Sequence, residues 1–230
     1  MKITSLILAG ALLAASALPA AASKPAGVVT LVQGSVSRLL DSAAKPAAPA
    51  ALKVGDAVFA DDRITTGANG RAALVLTDGT QLKLNYNTDI VLHAKTVAGK
   101  SNDRGIASIK ILLGDLWSKI TKKKSIFEFE TPSAVAAVKG SSGEVSADAG
   151  QTCIQWSEGK LAVSNDLGSQ MMGALQQMCV AKGFAPPAPA PWTPPASSWS
   201  SSLGGVEAAT LQVKVKDADG SEKTLVIEYR

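Results

Sequence analysis

Aromatic residues are scarce, at 4% of 230 positions, and the chain holds one histidine, His93, and two cysteines, Cys153 and Cys179. Each shortage excludes something. With a single histidine, a zinc site would need cysteine or carboxylate ligands gathered around His93, and a Ser-His-Asp hydrolase would rest on that residue alone. His93 stands at the end of a predicted strand, where a structural histidine is expected. The cysteine spacing excludes a CxxC redox site. The net charge of +4 is small and evenly spread, which argues against a nucleic-acid partner. The densest basic stretch, residues 119–124, reads as a solvated turn between strands. What is abundant is Gly, with 20 residues, among segments dominated by Val, Thr, Leu and Ala. Short pleated strands joined by tight turns suit that composition better than a helical bundle.

The N-terminus has one positive charge at Met1-Lys2, then a nearly unbroken apolar run over 3–18, then Pro19 and Ala20-Ala21-Ala22. This is the profile of a secretory signal peptide spanning 1–22, cut before Ser23. A retained anchor is the alternative, but the run is shorter than the ~20 residues a span needs and lacks a basic stop-transfer flank. No cysteine follows it, so no lipid anchor is expected, and nothing downstream approaches a spanning length. The expected mature chain, residues 23–230, is soluble, has no membrane span, and is periplasmic or secreted.

In an exported chain the pair Cys153 and Cys179 reads first as a candidate disulfide, and two separate buried thiols are the alternative. Closing a loop of 26 residues would stabilise the fold by roughly 3 kcal/mol in the chain-entropy model.

Turn signals recur along the chain and the segments between them are short. Residues 27–38 alternate in part, with Gly34 as a bulge or bend. An Ala/Pro-rich loop covers 41–51. Short strands are predicted at 57–60 and 64–66, and residues 72–76 and 80–84 flank Thr77-Asp78-Gly79 as a hairpin. There Leu74, Leu76, Leu82 and Leu84 fall on one face by period two and are core candidates. Further strands are predicted at 88–93, 107–113, 115–120, 126–130, 134–138, 143–147, 153–157 and 160–165, with Gly114-Asp115 among the turns. Over 183–205 Pro, Ser and Ala dominate, with Trp192 and Trp199 embedded, which reads as an extended linker. The two tryptophans are either ligand platforms or pack back on the domain. Residues 211–215 and 223–229 alternate around Asp217-Ala218-Asp219-Gly220, a C-terminal β-hairpin within 206–230.

Taken in order, Leu52-Lys53-Val54-Gly55-Asp56, Asp62-Arg63-Ile64-Thr65-Thr66-Gly67, Asp78-Gly79-Thr80, Leu113-Gly114-Asp115-Leu116, Phe129-Glu130-Thr131-Pro132-Ser133-Ala134, Val138-Lys139-Gly140-Ser141 and Glu158-Gly159-Lys160-Leu161 resemble the FecR domain over about 27–182. The resemblance implies an all-β fold of two twisted, mainly antiparallel sheets, sandwich- or solenoid-like, with an extracytoplasmic binding or scaffolding role. The best-known members regulate sigma factors through a cytoplasmic helical region and a membrane span. Here only the leader precedes Gly27, so that role does not carry over. The family usually has Gly-Thr where Gly140-Ser141 stands, a departure that keeps the hydroxyl.

Other motifs are weak. Ser42-Ala43-Ala44-Lys45 matches Ser-x-x-Lys, and Ser101-Asn102-Asp103 resembles a second element of penicillin-recognising enzymes, but Ser42 lies in a loop and no Lys-Thr-Gly strand follows. Gly67-Ala68-Asn69-Gly70 opens no helix after a strand and is no phosphate cradle. Asp56, Asp61, Asp62 and Asp78 lack the spacing of a calcium loop and suit turns. Glu128 and Glu130 share a strand face and are expected to be solvated. The sequence therefore predicts a non-catalytic module with no cofactor and no metal site, whose partner is an unknown envelope protein or glycan. The alternatives are a secreted or surface structural component of an adhesin or polysaccharide export assembly, and an envelope signal-sensing subunit acting through a membrane partner.

Overall fold

The computed structural model describes residues 24–40, 48–94, 106–121, 126–203, 210–216 and 222–228. The chain enters through β1 (Gly27–Gln33), turns at Gly34 and Ser35, and continues as β2 (Val36–Leu40), β3 (Ala50–Ala51), β4 (Ala57–Val58) and β5 (Asp62–Thr66). Next come β6 (Arg71–Leu76), β7 (Gln81–Leu84), β8 (Asp89–Ala94) and the long β9 (Ile106–Lys119). The second half adds β10 (Phe127–Glu130), β11 (Val135–Val138), β12 (Ser142–Ala147), β13 (Gln151–Glu158), β14 (Leu161–Asn165), β15 (Gly168–Met172), β16 (Gln176–Ala181) and β17 (Ala190–Pro191). A one-turn helix α1 (Trp199–Ser202) precedes the final pair, β18 (Thr210–Lys216) and β19 (Glu222–Glu228).

Strands β1 to β17 form two sheets. The first runs β4, β1, β6, β7, β9, β12, β13, β16, β17. The second runs β3, β2, β5, β8, β9, β10, β11, β14, β15. All these contacts are antiparallel except β9 with β10, which is parallel. The sheets do not close into a barrel.

β9 belongs to both sheets. Its residues 106–113 pair with β8 in the second, and its residues 114–119 pair with β12 in the first. The sequence predicts two strands with a turn at Gly114-Asp115, and the structure corrects this to one bent strand. Gly114 has φ +94°, and a Cβ there would come within 2.5 Å of the Thr88 backbone. Only glycine makes this bend against so close a neighbour. The bend is tied by Asp115, whose amide donates to Thr88 Oγ1 and whose carboxylate accepts from Asn85 Nδ2 and Ser146 Oγ.

The core lies between the inner faces. The Asp78-Gly79 turn closes the β6–β7 hairpin, with Thr80 N donating to the Asp78 carboxylate and φ +82° at Gly79. The register then sets Leu74 opposite Leu82. Leu74, Leu76, Leu82 and Leu84 all enter the core, joined by Ile109, Leu116, Phe129 and Trp156. Phe129 meets Trp156 edge-on at 6.3 Å, and Phe127 meets Phe129 at 5.3 Å.

The strands β15 and β16 lie in residues for which the sequence predicts no strand. β18 and β19 form a separate hairpin, with Thr210 opposite Glu228 and Lys216 opposite Glu222. Among the described residues, no helix is long and apolar enough to cross a membrane.

Candidate functional site

Alternation along each strand turns every second side chain of the first sheet away from the core, and the register aligns those side chains across strands. Lys83 on β7 stands opposite Trp117 on β9, Trp117 opposite Glu144 on β12, and Glu144 opposite Gln155 on β13. Gln155 in turn stands opposite Gln177 on β16. A row of Lys, Trp, Glu, Gln and Gln therefore crosses five adjacent strands on the outer face.

The Pro-rich segment lies along this row. Ala190 and Pro191 pair with Gln177 and Gln176, and Trp192 N donates to Leu175 O at 2.8 Å. Four strand spacings of ~4.8 Å separate β16 from β7, about 19 Å, which the residues from 191 to 200 cover easily when extended. At the far side α1 begins under a Ser198 cap and docks by two bonds. Trp199 Nε1 donates to Glu144 Oε1 at 2.7 Å, and Lys83 Nζ donates to Ser200 O at 2.7 Å. Arg71 adds a longer bond to Ser202 Oγ, 3.3 Å, while its guanidinium covers the Tyr86 ring at 4.0 Å. Ser200 and Leu203 are buried. The stretch read from the sequence as an extended linker over 183–205 is thus bound to the domain at 190–191 and 199–203. Trp199 and the free donors and acceptors of the sheet face draw it in, which its proline content alone does not reveal.

Between this strap and the sheet lies a cleft of about 340 Å³ lined by Trp117, Trp192, Trp199, Glu144, Gln155 and Ser157, with Pro194, Pro195 and Ser197 to Ser200 as its outer wall. All three tryptophans are half-buried. Lys83 lies 4.9 Å from the Trp117 ring and is itself buried, so desolvation lowers its pKa below the ordinary lysine value. Glu144 shifts upward, first because burial disfavours its charge and also because Asp115 is near; the bond from Trp199 opposes this.

The disulfide Cys153–Cys179 joins directly opposed residues of β13 and β16 at a Cα separation of 4.0 Å. His93 Nδ1 lies 3.3 Å from Asp61 Oδ1 on the surface, away from the cleft lining. Asp56 accepts from Lys53 N, and Asp78 from Thr80 N, both as turn ties. Asp62 is buried, accepts from Phe59 N and lies 3.6 Å from Arg38; burial raises its pKa, opposed by that N–H and by Arg38. Glu128 and Glu130 point outward between the inward Phe127 and Phe129. Ser42, Lys45, residues 101–103 and Lys122 to Lys124 lie outside the described residues. Among the described residues, no group of three or more His, Cys, Asp or Glu could hold a metal ion.

The sequence reading missed Lys83, Trp117, Glu144 and Gln155 as a set. One signal was available: in 115–120 Leu116, Ser118 and Ile120 turn inward, which leaves Trp117 on the outer side of an alternating strand.

Two nine-stranded sheets sharing one bent strand, with an aromatic cleft on an outer face, define an all-β module with a preformed concave surface. Residues 62–162 match the family model of the FecR protein, from β5 into β14, and the chain carries a FecR domain there. Two crystal structures of a "putative anti-sigma factor" from Parabacteroides distasonis ATCC 8503 are similar to it, at 18% and 19% identity with TM-scores of 0.46 and 0.47. Each alignment covers 56% of this chain and 59% of the other, so the chain spans about 59% of those proteins' length. No curated protein matches the chain.

Proposed function

We propose that this chain is a non-catalytic binding or scaffolding module of the bacterial cell envelope, exported by cleavage of residues 1–22 and acting through a partner outside the cytoplasm. One observation carries this reading. The chain has four tryptophans, and three of them are held half-buried around one cleft instead of inside the core. Tryptophan is mostly buried when its only task is packing, and a half-exposed cluster marks a recognition surface. The FecR domain at 62–162 is consistent with a family that works by contact.

Affinity capture of residues 23–230 from cross-linked, fractionated envelopes, read by mass spectrometry, tests the reading. Recovery of a specific envelope component is expected. Recovery of nothing above background, or of cytoplasmic proteins alone, counts against it.

A second reading, a surface or secreted structural component, is favoured by one feature. β15 pairs only with β14 among the described residues, and Leu167 and Met171 beside its open side are 60% and 62% exposed. Open, apolar edges invite strand-to-strand assembly. That reading expects concentration-dependent oligomers in sedimentation. An envelope signal-sensing role would require that the captured component be a membrane protein.

A further inference from the structure

The cleft lining limits the class of ligand. Its floor is the middle of a sheet, where the backbone groups of β9, β12 and β13 are already used in the ladders between them. A peptide adding itself as a strand finds no partner there, because that mode needs a free edge. Recognition must come from side chains. Glu144 is the single ionisable residue of the lining, and one of its oxygens already accepts from Trp199. Among the described residues no cation lines the cleft, and the nearby Lys83 is buried beside the Trp117 ring with its Nζ bonded to Ser200 O, so a phosphate or carboxylate finds no counter-charge there and nucleotides and acidic polymers do not fit. What remains is a set of indole faces beside neutral hydrogen-bonding groups: the Gln155 amide and the hydroxyls of Ser157, Ser197 and Ser198. Indole rings present a broad apolar face to a ligand, and a few placed polar groups fix its orientation. A pyranose ring has the matching form, with C–H bonds on its faces and hydroxyls around its rim.

We propose that this cleft binds a neutral oligosaccharide, with a sugar ring stacked on the tryptophans Trp117, Trp192 or Trp199 and its hydroxyls bonded to Gln155 and Ser157. The volume, about 340 Å³, lies at the low end of small-molecule sites, so about one or two rings enter and the rest of the chain extends along the row toward Gln177. The inference rests on the reading of the chain as an exported binding module.

The test uses the full mature chain, residues 23–230, titrated separately with chitohexaose, cellohexaose and maltohexaose. Tryptophan fluorescence and calorimetry are the readouts. Saturable binding of at least one sugar is expected, with Kd of about 0.01–1 mM and a change in indole emission. Trp192→Ala and Gln155→Ala should each weaken it about tenfold or more, with unchanged melting temperature, and Met171→Ser should leave it unaltered. The proposal is overturned if none of the three sugars binds, or if binding survives both variants. It is also overturned if a proline-rich peptide saturates the same tryptophan signal and the sugars do not. Failure of the titrations with envelope capture intact removes the saccharide site alone; failure of both removes the binding module as well.

Discussion

Burial, and to a lesser degree the like charge of Asp115, disfavours ionisation of the Glu144 carboxylate, against the bond from Trp199 Nε1, which favours it. Because its folded-state pKa is raised, the folded chain keeps this proton over a range in which the unfolded chain has lost it. Stability therefore falls as pH rises from the ordinary value of 4.5 through that range, and levels off when both states are ionised. Glu144→Gln keeps an acceptor for the indole and removes the titration. The variant should match or exceed the native chain at neutral pH by up to about 1 kcal/mol, with a flatter profile in the acid range. Urea melts at a series of pH values check this, and an unchanged slope would assign the pH dependence elsewhere. Asp62, shifted in the same direction, contributes a residual slope in both chains. At this scale the sequence was partly legible. Leu74, Leu76, Leu82 and Leu84 are buried as their alternation implies. Lys83, between two of them, is buried as well because a segment distant in sequence covers it, and no local pattern carries that information.

The strands show where local patterns stop being sufficient. Most hairpins follow from turn residues and alternation, but Gly114-Asp115 looks like a turn and is a bend within β9. The difference is tertiary: β8 continues the ladder on one side of Gly114 and β12 on the other. β15 and β16 escape notice because Gly168–Met172 and Gln176–Ala181 are rich in Gln and Met and poor in β-branched residues. Gly114→Ala should destabilise the chain by about 2–4 kcal/mol, combining an unfavourable φ with a clash at Thr88. A loss below about 0.5 kcal/mol in chemical denaturation would mean that the backbone relaxes there without cost. The disulfide ties β13 to β16, closing a loop of 26 residues. Replacing both cysteines by alanine should cost roughly 3 kcal/mol, and dithiothreitol should reproduce the shift in the native chain but not in the variant.

For the whole molecule, the division at residue 182 and the strap beyond it make distinct claims. A chain ending at residue 203 retains the bonds from Trp199 to Glu144 and from Lys83 to Ser200, and its unfolding midpoint should stay near that of the full chain. One ending at residue 191 loses both and uncovers Lys83 and Trp117. It should be less stable by about 2–4 kcal/mol, two hydrogen bonds to charged groups being the main loss. Equal stability of the two truncated chains would show that the strap adds nothing to the fold. A collapse of the longer one would make the 210–228 hairpin an integral part of the domain. The sequence marked the strap by its prolines and tryptophans, but its destination depends on an outer-face row assembled from strands up to 94 residues apart, β7 to β16, which only the folded register brings together.

The shared strand has one more consequence. β9 is paired along nearly all of its length and on both sides at 108–110 and 116–119, in one sheet or the other, so neither layer can be finished while it is unplaced. The two layers should consequently melt together, in a single cooperative step, and the amides of β9 should be the last in the molecule to exchange with deuterated water. A domain of this size built as a stack of short hairpins would otherwise be expected to fray from its ends. Here the bend at Gly114 locks the stack from its middle.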